Sequence, residues 1–142
     1  TKQSNAIVRE LGQKLQPEEW ENGYYILPTV VRDIDPKATL VCCEQFGPVI
    51  PLIPYQTLDQ AIEMANDSEF GLCSSVWSAD IERAVEVARR IEAGSTFINS
   101  HSLESVDLRM PFGGIKQSGI GRELSELSLD DYTEYHGIRY LK

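Results

Sequence analysis

Residues 72–98 read LCSSVWSADIERAVEVARRIEAGSTFI, and this stretch decides the fold. Leu72 to Trp77 is a short run of apolar and small residues that reads as a buried strand. Ile81, Ala84, Val85, Ala88 and Ile91 then follow the 3.6-residue period of an amphipathic helix, with Ser78 or Asp80 placed to cap its first turn. Glu86 and Arg90 form an i,i+4 ion pair along it, contributing about 0.3 kcal/mol. Gly94 is the expected stop, and Ser95 to Ile98 resumes as a short strand ending at Asn99. Strand, helix and strand in this order make a βαβ unit with a right-handed crossover.

Working outward, the same alternation begins earlier. Val49 to Tyr55 reads as a strand with Pro51 and Pro54 marking its limits. Thr57-Leu58-Asp59-Gln60 is a capping box, in which hydroxyl and amide each satisfy a free backbone donor. The helix it opens sets Leu58, Ala61, Ile62 and Ala65 on one face, and Asn66 to Gly71 stops it. The fold class is therefore α/β, a mainly parallel sheet with flanking helices. Ligand sites in such sheets lie beyond the carboxyl ends of the strands, where Asn99 and the loop after it fall. Further upstream, Tyr24 to Val31 is a strand that ends or bulges at Pro28, and Leu40 to Cys43 is a short apolar run. Residues 1–15 support at most a short helix, weakened by Gly12, and 1–22 form a poorly defined leader.

Downstream, Met110 to Glu123 holds four glycines, Gly113, Gly114, Gly119 and Gly121, within nine residues. That density implies close backbone approach or positive φ angles. A phosphate-cradling P-loop would need lysine where Ile120 stands, and the dinucleotide fingerprint lacks its third glycine after Gly119-Ile120-Gly121. Both readings fail, leaving a site wall or a tight structural turn. Arg122 to Leu129 is a third helix candidate, and Tyr132 to Leu141 closes the chain as a strand.

The chain has 142 residues, 42% hydrophobic and 25% charged, the composition of an ordinary soluble globular protein. A formal charge of −9 argues against nucleic acid and against an anionic membrane surface as partners. No apolar run is long enough to span a bilayer. The three cysteines, with Cys42 and Cys43 adjacent, do not form a disulfide framework, so a reducing cytoplasm is expected. Neither they nor His101 and His136 make a metal-ligand pattern. The chain opens on Thr1 without an initiator Met, the expected appearance of a piece of something longer.

Four stretches taken in order resemble the C-terminal portion of the NAD(P)-dependent aldehyde dehydrogenase superfamily. They are Gly23-Tyr-Tyr-Ile-Leu-Pro-Thr-Val, Glu44-Gln-Phe-Gly-Pro-Val, Asn66 through Trp77, and Pro111 through Glu123, closed by Tyr132-Thr133-Glu134. The resemblance implies residues 1–131 as the end of a catalytic domain and 132–142 as an oligomerisation strand that adds to a neighbouring subunit's sheet, giving a dimer or tetramer. It implies oxidation of an aldehyde substrate to a carboxylic acid: a thiolate attacks the carbonyl, hydride passes to NAD or NADP, and water hydrolyses the thioester. The nucleophilic cysteine, the water-activating glutamate and the Rossmann-like cofactor domain lie upstream in the family, so no catalytic residue is expected in this chain, which alone would be inactive.

Within that scheme Glu44 corresponds to the glutamate that holds the nicotinamide ribose, its two oxygens accepting from a vicinal diol. Phe46 corresponds to the aromatic beside the nicotinamide ring. Phe112 corresponds to a lining residue of the aldehyde tunnel, and Asn99 to a strand-end asparagine near the active centre or a structural hydrogen-bonder. Ser100 to Met110 falls where the family varies its substrate loop, with His101, Glu104, Asp107 and Arg109 able to meet a polar substrate or simply be solvated. Cys43 stands where the family usually has an acidic residue, and Ser125 and Ser128 where it often has helix-ending glycines. Glu44, Phe46 and the glycine wall are expected to form half of a cleft. The competing expectation is a non-catalytic interaction module that keeps the fold.

Overall fold

A computed structural model of the protein describes residues 5–102 and 105–142. The chain divides into two units, Thr1–Leu58 and Asp59–Lys142. In the first, strands β1 (Ile7–Glu10), β2 (Thr29–Arg32) and β3 (Val49–Leu52) form a sheet in that order, with the one-turn helix α1 (Thr39–Cys42) between β2 and β3. β1 is antiparallel to β2, Val8 facing Val31, and β2 is parallel to β3, Val31 facing Pro51. β2 starts just after Pro28, so the first half of the expected Tyr24–Val31 strand lies outside the sheet. Its β-branched Val30 and Val31 suit the central position, and Val31 is buried together with Ala38. Pro51 is tolerated because β3 is an edge strand. Ile7–Glu10 forms a strand where periodicity allowed at most a short helix; pairing with β2 outweighs a weak local preference.

The second unit holds the deciding stretch. Helix α2 (Leu58–Asn66) leads into β4 (Phe70–Gly71), β5 (Cys73–Val76), helix α3 (Ile81–Ala88), β6 (Ser95–Ile98) and β7 (Ile115–Lys116). β5 and β6 run parallel from Cys73 opposite Ser95 to Val76 opposite Ile98, and α3 packs on both. Strand, helix and parallel strand follow in the order read, with the helix ending at Ala88, before the expected Ile91. Asp80 is the N-cap, its Oδ1 accepting from the Arg83 N–H at 3.0 Å, while Ser78 Oγ accepts from the Asp80 N–H at 3.1 Å. Ala84 and Val87 carry the buried face of α3, and Ile62 that of α2. Arg90 turns to Asp59, at 2.6 Å, rather than to Glu86.

Two expectations are corrected. In place of one mainly parallel sheet the described residues form three small ones: β1-β2-β3, the antiparallel pair β4-β7, and β5-β6. The fold is mixed α/β, with β4 paired antiparallel to β7 of the glycine loop. The third helix does not start at Arg122, because Glu123 pairs with Phe112 in an antiparallel bridge and Leu124 and Ser125 take left-handed φ values of 61° and 60°. A 3-10 helix, Glu126–Tyr132, follows. Residues 133–142 are exposed and form no strand within this chain; a strand needs a neighbouring backbone to complete its ladder. No helix among the described residues is long and apolar enough to cross a membrane.

Candidate functional site

The glycine loop is built around backbone approach. Gly71 opposite Ile115 and Phe70 opposite Lys116 zip its start to β4. The Gln117 N–H donates to the Glu69 carbonyl at 2.8 Å, and Ser118 Oγ accepts from the Gly71 N–H at 2.9 Å. Gly119 and Gly121 adopt φ of 144° and 82°, where a side chain would be strained. Phe112 and Glu123 exchange both backbone hydrogen bonds, at 2.8 and 2.7 Å, closing the loop at its base. Arg122 Nη1 donates to the carbonyls of Gly114 and Gly121 at 2.8 and 2.7 Å, so the guanidinium is an internal strut. Sequence reading gave Arg122 only a helix start; the available signal was a five-donor side chain inside a segment rich in bare carbonyls.

The folded loop walls an open cleft of about 490 Å³, lined by Phe112, Leu72, Ile120, Tyr132, Arg122 and the loop glycines among others. That volume is in the range of small-molecule sites, and its lining mixes apolar side chains with Arg122, Ser118 and the carboxylates of Glu123 and Asp131. Phe112 is half-buried in this wall.

Glu44 and Phe46 lie in the first unit, on the segment between α1 and β3. Both are exposed, and the Phe46 ring entirely so. Gln45 between them is tied back, its Nε2 donating to the Val49 carbonyl at 2.7 Å. A carboxylate and an aromatic face are thus presented two residues apart, with the intervening side chain removed.

Asn99 sits at the end of β6 with φ 53°. Its Oδ1 accepts from the Ser78 N–H and its Nδ2 donates to the Ser78 carbonyl, both at 2.8 Å. The side chain therefore staples the ends of β5 and β6 together. In the loop that follows, Ser100 and Ser105 hydroxyls are hydrogen-bonded, His101 meets Phe97 edge-on at 6.1 Å, and Glu104 lies outside the described residues. Arg109 grips the Asp107 carboxylate through Nε at 2.9 Å and Nη2 at 2.6 Å. The hydrogen bonds from the Arg109 side chain and backbone hold the Asp107 carboxyl down to about 2, and the side-chain hydrogen bond with the carboxylate's charge pushes the guanidinium higher.

Burial raises the pKa of Cys73 on β5, which keeps it a thiol and a poor nucleophile. Cys42 and Cys43 are exposed, and Cys42 Sγ donates to the Pro36 carbonyl at 3.3 Å. Among the described residues no group of three or more His, Cys, Asp and Glu side chains is arranged to hold a metal ion.

Comparison with known proteins matches residues 1–138 to the Aldehyde dehydrogenase family. The chain is similar to geranial dehydrogenase of Castellaniella defragrans, 44% identical over 121 residues, which is 85% of this chain and 25% of that protein. Among solved structures it is similar to Mycobacterium tuberculosis aldehyde dehydrogenase complexed with NAD+, at 42% identity and TM-score 0.77, covering 84% of this chain and 24% of that one. It is likewise similar to an NAD-dependent aldehyde dehydrogenase from Sinorhizobium meliloti, at 38% identity and TM-score 0.82, covering 95% and 26%. The chain spans about a quarter of the length of the relatives it matches. A family match from residue 1 to 138, joined to the same backbone path in solved relatives, means that this chain belongs to the aldehyde dehydrogenase family.

Proposed function

We propose that the chain is the distal part of an enzyme that oxidises aldehydes to carboxylic acids with NAD or NADP. The observation that carries this is the presentation of Glu44 and Phe46 on one segment with Gln45 folded away. Glu44 accepts from the two ribose hydroxyls, and Phe46 offers its face to the nicotinamide and limits ring tilt. The cofactor, when bound, supplies the hydride acceptor; holding it in one orientation is what this segment does. Phe112 forms the apolar side of the aldehyde path, and Asn99 holds the strand end that opens toward it. The nucleophilic cysteine, the water-activating glutamate and the dinucleotide-binding domain belong to preceding parts of the enzyme, so residues 1–142 alone form no NADH from aldehyde and NAD. Residues 1–131 complete the catalytic domain, and 132–142 add to a neighbouring subunit's sheet in a dimer or tetramer, in the cytoplasm.

Steady-state kinetics of the full-length protein test this. Glu44→Gln removes one charge-assisted hydrogen bond and is expected to raise KM for the cofactor about tenfold, leaving KM for the aldehyde within about twofold. An unchanged cofactor KM refutes the ribose role. The exposed tyrosines of the terminal segment also suit a non-catalytic interaction module. A full-length protein that binds neither NAD nor NADP, yet self-associates through residues 132–142, would establish that reading instead.

A further inference from the structure

We propose that Lys116 is a positioning residue for the aldehyde, holding the glycine loop, and with it Phe112, in register against the ends of α2 and α3. The inference rests on the reading of Phe112 as a wall of the aldehyde path. Lys116 has φ 55°, set by the tight turn 115–118 in which the Ser118 N–H donates to the Ile115 carbonyl at 3.1 Å, and from that turn its side chain reaches the ends of the two helices. Nζ donates to the Asn66 carbonyl at 2.7 Å, at the C-terminal end of α2 where a cation is favoured, and pairs with Glu92 Oε2 at 2.8 Å. The side chain is largely covered, at 22% exposure, whereas Glu92 is 57% exposed.

Asn66 closes the knot from its other side. Its Nδ2 donates to the Arg90 carbonyl and its Oδ1 accepts from the Glu92 N–H, both at 2.8 Å. The end of α2, the segment after α3 and the glycine loop thus meet at one ammonium group. Phe112 lies four residues from Lys116, across Gly113 and Gly114; Arg122 holds the Gly114 carbonyl from inside the loop, and Lys116 ties the other side of the loop to the helices. Without this anchor the loop retains its zipper to β4 but loses the contact that sets how far it is drawn toward α2. The ammonium is taken up by the Asn66 carbonyl and the Glu92 carboxylate, so its effect on the aldehyde runs through Phe112.

The test is a double-mutant cycle in the full-length enzyme, with aldehyde and cofactor KM, kcat and thermal midpoint measured for each protein. Lys116→Met is expected to raise KM for the aldehyde about tenfold with cofactor KM unchanged, and Lys116→Arg to restore most of it. In a Phe112→Ala background Lys116→Met should then cost less than about twofold, because the wall it positions is gone. Equal factors in both backgrounds, or a lowered midpoint with unchanged kinetics, make Lys116 merely structural and overturn the proposal while leaving the site reading intact. If Phe112→Ala alone leaves aldehyde KM unchanged, the site reading falls and this proposal with it. Should Lys116→Met not fold, Glu92→Gln replaces it: a smaller rise in aldehyde KM, about threefold and absent with Phe112→Ala, supports the proposal, and no rise overturns it.

Discussion

A methyl group added at Gly94 would overlap the Gly113 carbonyl oxygen, where the turn before β6 meets the glycine loop. The obstacle is backbone, so it cannot rotate aside, and the two segments must separate. Gly94→Ala is therefore expected to destabilise the full-length protein by about 1–3 kcal/mol, the usual cost of overpacking. Asp107 offers a second test at this scale. Its folded pKa, about 2, lies below the ordinary 3.8 because Arg109 donates to the charged form. A depressed carboxyl adds stability above the ordinary value, and that contribution is lost as pH falls from 3.8 through about 2. The pair is exposed to solvent, so its effect on stability is small and salt-screened. The direct readout is carboxyl-carbon NMR: Asp107 should titrate near 2, and Arg109→Gln should return it toward 3.8. A resonance that already titrates near 3.8 with Arg109 present would mean the grip does not persist in solution.

Among the elements, α3 depends on its cap. Asp80 satisfies the Arg83 N–H, and the helix it opens carries Ala84 and Val87 into the layer over β5 and β6. Asp80→Ala should cost about 1 kcal/mol, measured by urea unfolding of the full-length protein, with Asp80→Ser recovering most of it. This βαβ unit was legible before any coordinates because cap, helical period and strand runs are all local signals. The glycine loop was legible as a loop for the same reason. Its interior was not. Leu124 and Ser125 look helix-compatible in sequence, but Glu123 is taken by Phe112, a pairing that no window around residues 122–129 contains. Arg122 and Lys116 escaped notice because their main partners are backbone carbonyls, which leave no mark on composition. β1 was missed likewise: Ile7–Glu10 is a strand because β2 stands beside it. Asn99 was readable as a strand end, but its staple to Ser78 depends on two strands becoming neighbours. For Glu44 and Phe46 the family likeness pointed to the segment, and the structure adds the removal of Gln45 from between them.

At the scale of the molecule the balance of apolar surface is unusual. Among the described residues five hydrophobic ones are buried, Val31, Ala38, Ile62, Ala84 and Val87, while Tyr24, Phe46 and Ile120 are fully exposed and many other large apolar side chains largely so. A self-sufficient chain of this length buries a larger core. Surface of this kind within each unit is what contact with further protein would cover. The end of the chain makes this testable. Tyr135, Ile138, Tyr140 and Leu141 are exposed along a segment that forms no strand of its own. As a strand it would set Ile138 and Tyr140 on one face and Tyr135 and Leu141 on the other, so both faces carry apolar weight, the pattern of a strand covered on both sides. Successive N–H groups of a strand point to opposite edges, so one of two adjacent prolines must remove a ladder donor whichever edge is paired. Ile138→Pro and Arg139→Pro, made separately in the full-length protein, are expected to differ: one lowers the sedimenting mass to a smaller assembly, and the other changes it less. Two variants sedimenting like the unsubstituted protein would show that backbone pairing by this segment does not hold the oligomer together. Equal dissociation by both would assign the association to side-chain packing instead of a one-edged ladder.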